Sequence, residues 1–398
     1  MINKLLKIFK KEYSTLNKIE ISKNNLIYNY RYLSSVNRKV KIAPVLKSNA
    51  YGHGIKEVAK ILDNAKAPFL CVDSLYEAYE LYKVNIKTPI LIMGYTNPEN
   101  FKVKKLPFSY AVFGALETLK ILNKYQPGCG IHIFVDTGMH REGIPLDELL
   151  LFLDHIKSYP NLKVEGLMSH LASANDRKDA LNKIQISNFK KALGICRKKG
   201  VNIKWFHLSN SDGLYNSTVS TYHTSSSLSL RAQSLRVEDP GVYNAHTVYN
   251  VARVGLVLYG ISKDPNLKPV LTLKSKIIQI KKLRKGDRVG YGGTFKAKKS
   301  MILGVLPIGY YDGVDLRLSD KGFVKVDGAF CPIVGRISMN ITTIDITKLS
   351  EPYIGQEVII YSANPSDKNS VKATARFCKT IPYDILIHLA ASTKRVVI

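Results

Sequence analysis

The chain has 398 residues, of which 45% are hydrophobic, and this length predicts a large domain together with a smaller one. No run approaches the roughly 20 apolar residues needed to span a bilayer, which excludes a transmembrane protein. The net charge of +28 would suit a polyanion, but the lysines are spread along the whole chain without interleaved aromatic residues. This pattern predicts a solvated basic surface and no specific nucleic-acid partner.

Five cysteines without CxxC spacing indicate neither a disulfide framework nor a zinc site, and they fit a reducing compartment. Residues 1–16 form a basic extension whose lysines interrupt any signal-peptide core. A plain extension is favoured over a short amphipathic helix that touches a membrane. We therefore expect a cytoplasmic protein without stable membrane anchoring, and no metal site.

Between residues 41 and 260, short apolar runs alternate with segments of helical periodicity, the pattern of repeated βα units. The eight candidate strands are KIAPVLK, APFLCVD, TPILIMG, SYAVFG, GIHIFVDTG, KVEGLMSH, IKWFHLSN and ARVGLVLYG. Five clear helices are GIKEVAKILDNA, SLYEAYELYKV, ALETLKILNKY, PLDELLLFLDHIKSY and ALNKIQISNFKKALGICRKKG. Eight such units predict an α/β fold in which residues 17–265 form a (β/α)8 TIM barrel.

After Tyr259 the sequence changes to strands separated by Gly and Asp turns, with almost no helix. Residues 266–398 are therefore predicted to form a smaller, all-β carboxyl-terminal domain. The segment 217–250 is rich in Ser and Tyr and has no clear period, which is typical of a long loop or insertion in the barrel.

The first candidate strand ends in APVLKSNAYGHG, which places Lys47 at the carboxyl-terminal mouth of the predicted barrel. Gly52 and Gly54 permit a tight turn into the next helix. A lysine fixed on a rigid strand can form a Schiff base with a carbonyl cofactor, although a lone barrel lysine is more often structural or phosphate-binding. The surrounding motif favours the cofactor interpretation.

That motif resembles the AVxKANAYGHG signature of alanine racemases, which are barrel-type pyridoxal-phosphate enzymes. Seven further segments resemble motifs of the same family in the same order: VDTGMHREGI, GLMSHLASAND, HLSNSDGLY, ARVGLVLYGI, VGYGGTF, LPIGYYDG and GRISMN. The resemblance therefore extends over nearly the whole chain.

The resemblance implies that Lys47 carries pyridoxal 5'-phosphate and acts as one of two acid/base groups. Racemisation removes the Cα proton from one face of a planar carbanion and returns a proton to the other, so a second group is required. Tyr291 matches the family's second base, which in that family comes from the other subunit of a homodimer. The implied reaction converts L-alanine to D-alanine, a product used in cell-wall peptidoglycan.

The resemblance also assigns the cofactor-binding and substrate-binding residues. Arg253 matches the arginine that faces the pyridine nitrogen, and His170 matches a histidine that hydrogen-bonds toward it. The phosphate-binding residues implied are Tyr51, Ser211, Gly255 and Leu256. Arg141 and Met339 match residues near the substrate carboxylate.

Three positions depart from the family pattern. Phe134 stands where many members have a lysine that becomes carbamylated and supports the arginine, so Arg141 must find another partner, such as an ordered anion. Asn340 replaces an aspartate, and Ala391 lies where some members direct a tyrosine toward the phosphate. The stretch from Ser211 to Arg253 is also longer than in typical members.

Two alternatives within the enzyme class remain open at this stage. A racemase of broader specificity, acting on serine, lysine or arginine, would share these motifs because the sequence does not measure pocket volume. A barrel-type decarboxylase would share the barrel and its lysine, but YGHG after Lys47 and the GYGG tyrosine argue against it. A polyanion-binding protein, suggested only by the charge, would need none of these motifs.

Overall fold

The computed structural model describes residues 14–176, 178–215 and 249–398, and it divides the chain into two compact units. The larger unit is Asn24–Lys268. The smaller unit combines the amino-terminal residues up to Lys23 with Pro269–Ile398. The predicted insertion at 217–250 lies almost wholly outside the described residues, as do residues 1–13 of the predicted extension.

Eight parallel strands form the centre of the larger unit, and all eight were predicted. They are β2 (Val40–Pro44), β3 (Leu70–Val72), β4 (Ile90–Ile92), β5 (Phe108–Val112), β6 (Gly130–Phe134), β7 (Lys163–Met168), β8 (Trp205–His207) and β9 (Tyr249–Val254). Each pairs with its successor from β3 to β9, and β9 pairs with β2. An isolated bridge between Val45 and Cys71 joins β2 to β3, so the sheet closes into the predicted TIM barrel.

The five predicted helices are present around the barrel: Ile55–Leu62, Leu75–Lys83, Leu116–Tyr125, Leu149–Ile156 and Ala180–Lys198. Each buries one face that carries apolar residues, as amphipathic periodicity predicts, while a few apolar side chains, such as Leu151 and Ile184, are exposed. The other described helical segments of this unit are the helices Lys23–Val36 and Ser211–Tyr215, the short segment Lys47–Tyr51, and 3-10 turns at Pro98–Lys102 and Leu256–Tyr259. None of the described helices is long and apolar enough to cross a membrane.

Two boundaries differ from the sequence prediction. Residues 17–21 were assigned to the barrel, but β1 (Lys18–Ile21) pairs with strands of the smaller unit, where Ile19 and Ile21 are fully buried. Residues 249–250 were assigned to the insertion, but they begin β9, because they extend the pairing of that strand with β8 and β2. Arg253 therefore lies near the end of its strand and not near the start, which brings it to the barrel mouth.

The sheets of the smaller unit are mainly antiparallel, as its turn-rich sequence predicts, and β1 makes one parallel pair. Its remaining strands are β10 (Leu271–Lys276), β11 (Gln279–Leu283), β12 (Arg288–Val289), β13 (Phe295–Lys296), β14 (Met301–Leu306), β15 (Phe323–Val326), β16 (Ala329–Pro332), β17 (Thr342–Asp345), β18 (Glu357–Tyr361) and β19 (Lys394–Val397). Six of the strands form one sheet in the order β16, β15, β18, β10, β1, β19. Helices Val371–Phe377 and Pro382–Ile387 show that the all-β prediction was incomplete.

Candidate active site

The chain makes an unusual turn directly after β2, where Lys47 begins a short left-handed helical segment. Residues Ser48, Asn49, Ala50 and Tyr51 all have φ between 53 and 55°. This conformation costs roughly 1–2 kcal/mol per residue for side chains other than glycine. Such local strain is concentrated at functional sites, where the surrounding structure must hold it in place.

Hydrogen bonds from neighbouring elements hold this turn. The Asn49 side-chain oxygen accepts from the Ile55 amide at 2.8 Å, and Glu77 accepts from the amides of Asn49 and Asp73 at 3.3 and 2.9 Å. The Lys47 ammonium lies 3.6 Å from the Asp73 carboxylate, and its side chain remains 41% exposed. The amine is therefore fixed by its backbone at the mouth yet accessible to a ligand.

Tyr51, Ser211 and Gly255 form a small cradle where the turn meets the end of β9. The Ser211 hydroxyl oxygen accepts from the Gly255 amide at 3.1 Å. A Cβ placed on Gly255 would lie 2.4 Å from the Tyr51 hydroxyl oxygen, so only glycine lets the tyrosine approach this backbone. Buried Tyr259 lies behind the cradle, with its ring 5.6 Å from that of Tyr51 and its hydroxyl donating to the Val45 carbonyl at 3.0 Å.

Arg253 is buried in the barrel, with only 5% of its surface exposed. One terminal nitrogen donates to His207 Nδ1 and the His207 carbonyl at 2.8 and 2.7 Å. The other donates to the Ser169 carbonyl at 2.5 Å and to His170 Nδ1 at 3.2 Å. Burial lowers the pKa of Arg253 to about 10, so the guanidinium remains a cation at neutral pH. These bonds use the four terminal N–H groups, so the Nε–H is the one donor of the guanidinium that they do not use.

His170 is held neutral in this environment. Burial and the positive charges of Arg253, Arg141 and Lys47 lower its pKa to about 3. Since Arg253 donates to Nδ1, the ring proton is on Nε2.

The low pKa of His170 predicts acid destabilisation. Below the ordinary histidine pKa of 6.5, His170 is protonated in the unfolded chain but stays neutral in the folded chain. The free energy of unfolding therefore falls as the pH drops from 6.5 toward 3. At about pH 5 this contribution is about 2 kcal/mol. Denaturant unfolding at about pH 7.5 and pH 5 should show a smaller loss of unfolding free energy in His170→Asn than in the parent. Equal losses in the two proteins would contradict the assignment.

Arg141 lies on the loop after β6, which Asp136 anchors by accepting from the Gly138 and Met139 amides at 2.9 and 3.0 Å. Its partner is the adjacent Glu142 carboxylate, which accepts from both Nε and a terminal nitrogen, the latter at 2.7 Å. Arg141 therefore has a side-chain partner on its own loop. Phe134 is buried against Ala111 and Met168 and packs as a core residue.

The remaining predicted site residues belong to the smaller unit. Tyr291 begins the 3-10 turn Tyr291–Gly293, is 73% exposed and follows Gly290, whose φ is 72°. Met339 is 56% exposed, and its carbonyl accepts from the Tyr311 amide at 3.0 Å. Asn340 donates to the Asp312 carboxylate at 3.4 Å, and Ala391 is an exposed residue before β19.

The residues of the barrel mouth fit a phosphorylated aldehyde cofactor. The cradle offers hydroxyls and backbone N–H groups of the kind that bind phosphate, and its Gly255 leaves room that a side chain would fill. An accessible amine and a buried cation lie on the same unit. Across the described ranges, no group of three or more His, Cys, Asp or Glu side chains could hold a metal ion.

Comparison with known proteins gives the class of this fold and site. Residues 21–228 match the family model "Alanine racemase, N-terminal domain", and residues 270–397 match "Alanine racemase, C-terminal domain". The alanine racemase of Syntrophobacter fumaroxidans is 32% identical over 355 residues, covering 87% of each chain. The chain is therefore an enzyme of the isomerase class. It belongs to the alanine racemase family.

Solved structures agree with this assignment. An alanine racemase from Clostridium difficile 630 superposes with a TM-score of 0.81 at 27% identity, covering 97% of each chain. An alanine racemase from Bartonella henselae with covalently bound pyridoxal phosphate superposes with a TM-score of 0.77 at 24% identity, covering 97% of this chain and 100% of that one.

Several residues of the site were not assigned from sequence. His207, Glu77 and Tyr259 lie within or near the quoted motifs, but nothing in their spacing showed which would contact Arg253, the turn or the cradle. Glu142 could have been found, because a carboxylate next to Arg141 in the chain is an obvious partner for a guanidinium.

Proposed function

We propose that this protein is a pyridoxal-phosphate-dependent racemase that converts L-alanine to D-alanine. The observation that carries the proposal is the barrel mouth, where accessible Lys47, the cradle of Tyr51, Ser211 and Gly255, and buried Arg253 belong to one unit. Family membership and the pyridoxal phosphate bound to the Bartonella henselae protein support the choice of cofactor. Alanine is preferred because it is the substrate named for the relatives.

Pyridoxal phosphate, when bound, supplies an aldehyde that attaches to an amine and a ring that withdraws electrons from the substrate Cα. Lys47 is the attachment point and holds or removes the Cα proton on one face. Tyr291 is the group for the opposite face, and we infer that a homodimer supplies it across the subunit interface. Tyr291 is exposed on a turn flanked by glycines, so its side chain is accessible to groups outside its own unit.

The buried arginine and the cradle would orient the cofactor. Arg253 would donate its Nε–H to the ring nitrogen, and because it remains a cation it would leave that nitrogen unprotonated and limit side reactions. The hydroxyls of Tyr51 and Ser211, with the backbone N–H groups of Gly255 and Leu256, would hold the phosphate. His170, held neutral, accepts from Arg253 and fixes its plane.

Arg141 would bind the substrate carboxylate together with the backbone of Met339. A carboxylate substrate must share the guanidinium with Glu142, whose pairing keeps Arg141 in place on its loop. We further propose that this D-alanine is supplied for peptidoglycan in a cytoplasmic compartment.

The proposal is tested with the purified protein and pyridoxal phosphate. L-alanine should lose its optical activity until equal amounts of the two enantiomers are present. Faster loss with L-serine or L-lysine would identify a broader racemase. Release of carbon dioxide without racemisation would refute the proposal in favour of a decarboxylase.

Gly255→Ala tests the cradle. The added Cβ would overlap the Tyr51 hydroxyl, and relief of such a clash costs about 1–3 kcal/mol, which is about 5- to 150-fold in affinity. We expect pyridoxal phosphate to bind correspondingly more weakly in a titration followed by absorbance. Gly194→Ala is the matched control, because a Cβ there meets nothing within 4 Å. Equal affinity in the two variants would exclude the cradle as the phosphate site.

A further inference from the structure

A line of polar side chains runs through the barrel interior from Arg253 toward the opposite end of the strands. His207 accepts from Arg253 at Nδ1, and its Nε2 lies 2.8 Å from His132 Nδ1. His132 Nε2 lies 3.8 Å from the Glu165 carboxylate, and that carboxylate accepts a hydrogen bond from the Ser109 hydroxyl at 3.0 Å. Three strands, β6, β7 and β8, supply the three side chains after Arg253.

The hydrogen bonds determine the protonation of both histidines. An arginine can only donate, so His207 Nδ1 carries no proton and its Nε2 does. His207 then donates to His132 Nδ1, and the His132 proton must lie on Nε2, which faces Glu165. All donors in the line therefore point from the guanidinium toward the carboxylate.

The barrel is built to accommodate this line. A Cβ on Gly166 would lie 2.2 Å from His132 Nδ1, and a Cβ on Gly130 would lie 2.1 Å from a Glu165 oxygen. Both histidines are buried, and Phe69 packs against their rings at centroid distances of 5.4 and 5.6 Å. Burial lowers the pKa values of both rings, which keeps them neutral.

The line of side chains also stabilises the buried positive charge of Arg253. Arg253 is a buried cation, and among the described residues no carboxylate lies within ion-pair distance of it. An uncompensated buried charge is costly. Two neutral imidazoles whose dipoles are aligned toward a carboxylate stabilise the cation without placing a negative charge beside the site.

We propose that Glu165, His132 and His207 are positioning residues that fix the orientation and charge of Arg253 from the far end of the barrel. The role is analogous to that of a carboxylate that fixes the tautomer of a catalytic histidine, here extended by a second ring. The inference rests on the proposed function and deepens it. The ring nitrogen of the cofactor would accept a hydrogen bond from the Arg253 Nε–H, and this bond requires a guanidinium that is held in one orientation.

The first test measures the histidine tautomers in the holoenzyme with 15N-labelled histidine. Nine histidines are present, and the His132→Asn and His207→Asn variants assign the two signals. Both rings should be neutral with the proton on Nε2. A proton on Nδ1 of either ring, or a protonated His132, would contradict the proposed arrangement of donors in this line of side chains. This measurement does not depend on turnover, so it tests the line of side chains separately from the proposed racemase activity.

The second test changes the carboxylate. Glu165→Gln should lower kcat about tenfold with little change in KM, the lower end of the range usual for residues that position a functional group through hydrogen bonds, while Glu165→Asp should recover most of the lost kcat. Glu80→Gln is the matched control, since Glu80 pairs with Lys56 and Lys83 on the barrel exterior. A kcat for Glu165→Gln equal to that of the control would refute the positioning role. If Glu165→Gln does not fold, the tautomers of His132 and His207 measured in the parent protein test the positioning role.

Discussion

Lys47→Ala is expected to abolish both the covalent attachment of pyridoxal phosphate and the racemisation of alanine. The side chain is the amine that the strained turn presents at the barrel mouth, and the proposed reaction uses it twice, as attachment point and as acid/base group. Loss of a nucleophile and a general base together should reduce kcat by at least about 10⁴-fold. Borohydride reduction followed by mass spectrometry, and chiral analysis of alanine, measure the two losses.

Lys56→Ala is the control for this variant. Lys56 lies on the helix that follows the turn and pairs with Glu80, so its removal costs only a surface ion pair. It should retain attachment and turnover. Retained racemisation in Lys47→Ala, or loss of attachment in both variants, would contradict the role of Lys47.

Tyr291→Phe should separate cofactor binding from racemisation. The substitution removes only the hydroxyl that would carry the proton on the second face, and Tyr291 belongs to a different unit from the cofactor cradle. We expect pyridoxal phosphate to remain attached, while racemisation falls by about 10²- to 10⁴-fold in both directions, because each direction needs one proton transfer at Tyr291. Initial rates from L-alanine and from D-alanine provide the measurement.

Tyr353→Phe is the matched control, because Tyr353 is a 60% exposed tyrosine of the same unit that no proposed step uses. Its rates should equal those of the parent. Normal rates in Tyr291→Phe would exclude it as an acid/base group and would require another residue for the second face.

The barrel was predictable because its strands are short apolar runs and its helices are strongly amphipathic. Both patterns arise from burial on a closed parallel sheet, so they depend little on distant residues. The position of Lys47 followed from the same reasoning, since the end of a barrel strand is where catalytic side chains lie.

The boundaries and the polar interior were harder to predict. β1 is only four residues long, and its partner β10 lies about 250 positions away, so nothing local assigns it to the smaller unit. The start of β9 adjoins the Ser-rich segment and carries no strong apolar signal. His132 and His207 meet across 75 positions, and only the closed barrel brings such residues together.

Racemisation of L-alanine in deuterium oxide tests the central claim most directly. If Lys47 and Tyr291 act on opposite faces, the proton removed from Cα goes to one group and the proton returned comes from the other, which has exchanged with solvent. At early times, nearly every D-alanine molecule formed should carry one deuterium at Cα. Absence of D-alanine would contradict the proposed activity, and D-alanine that keeps its original proton would contradict the two-group mechanism.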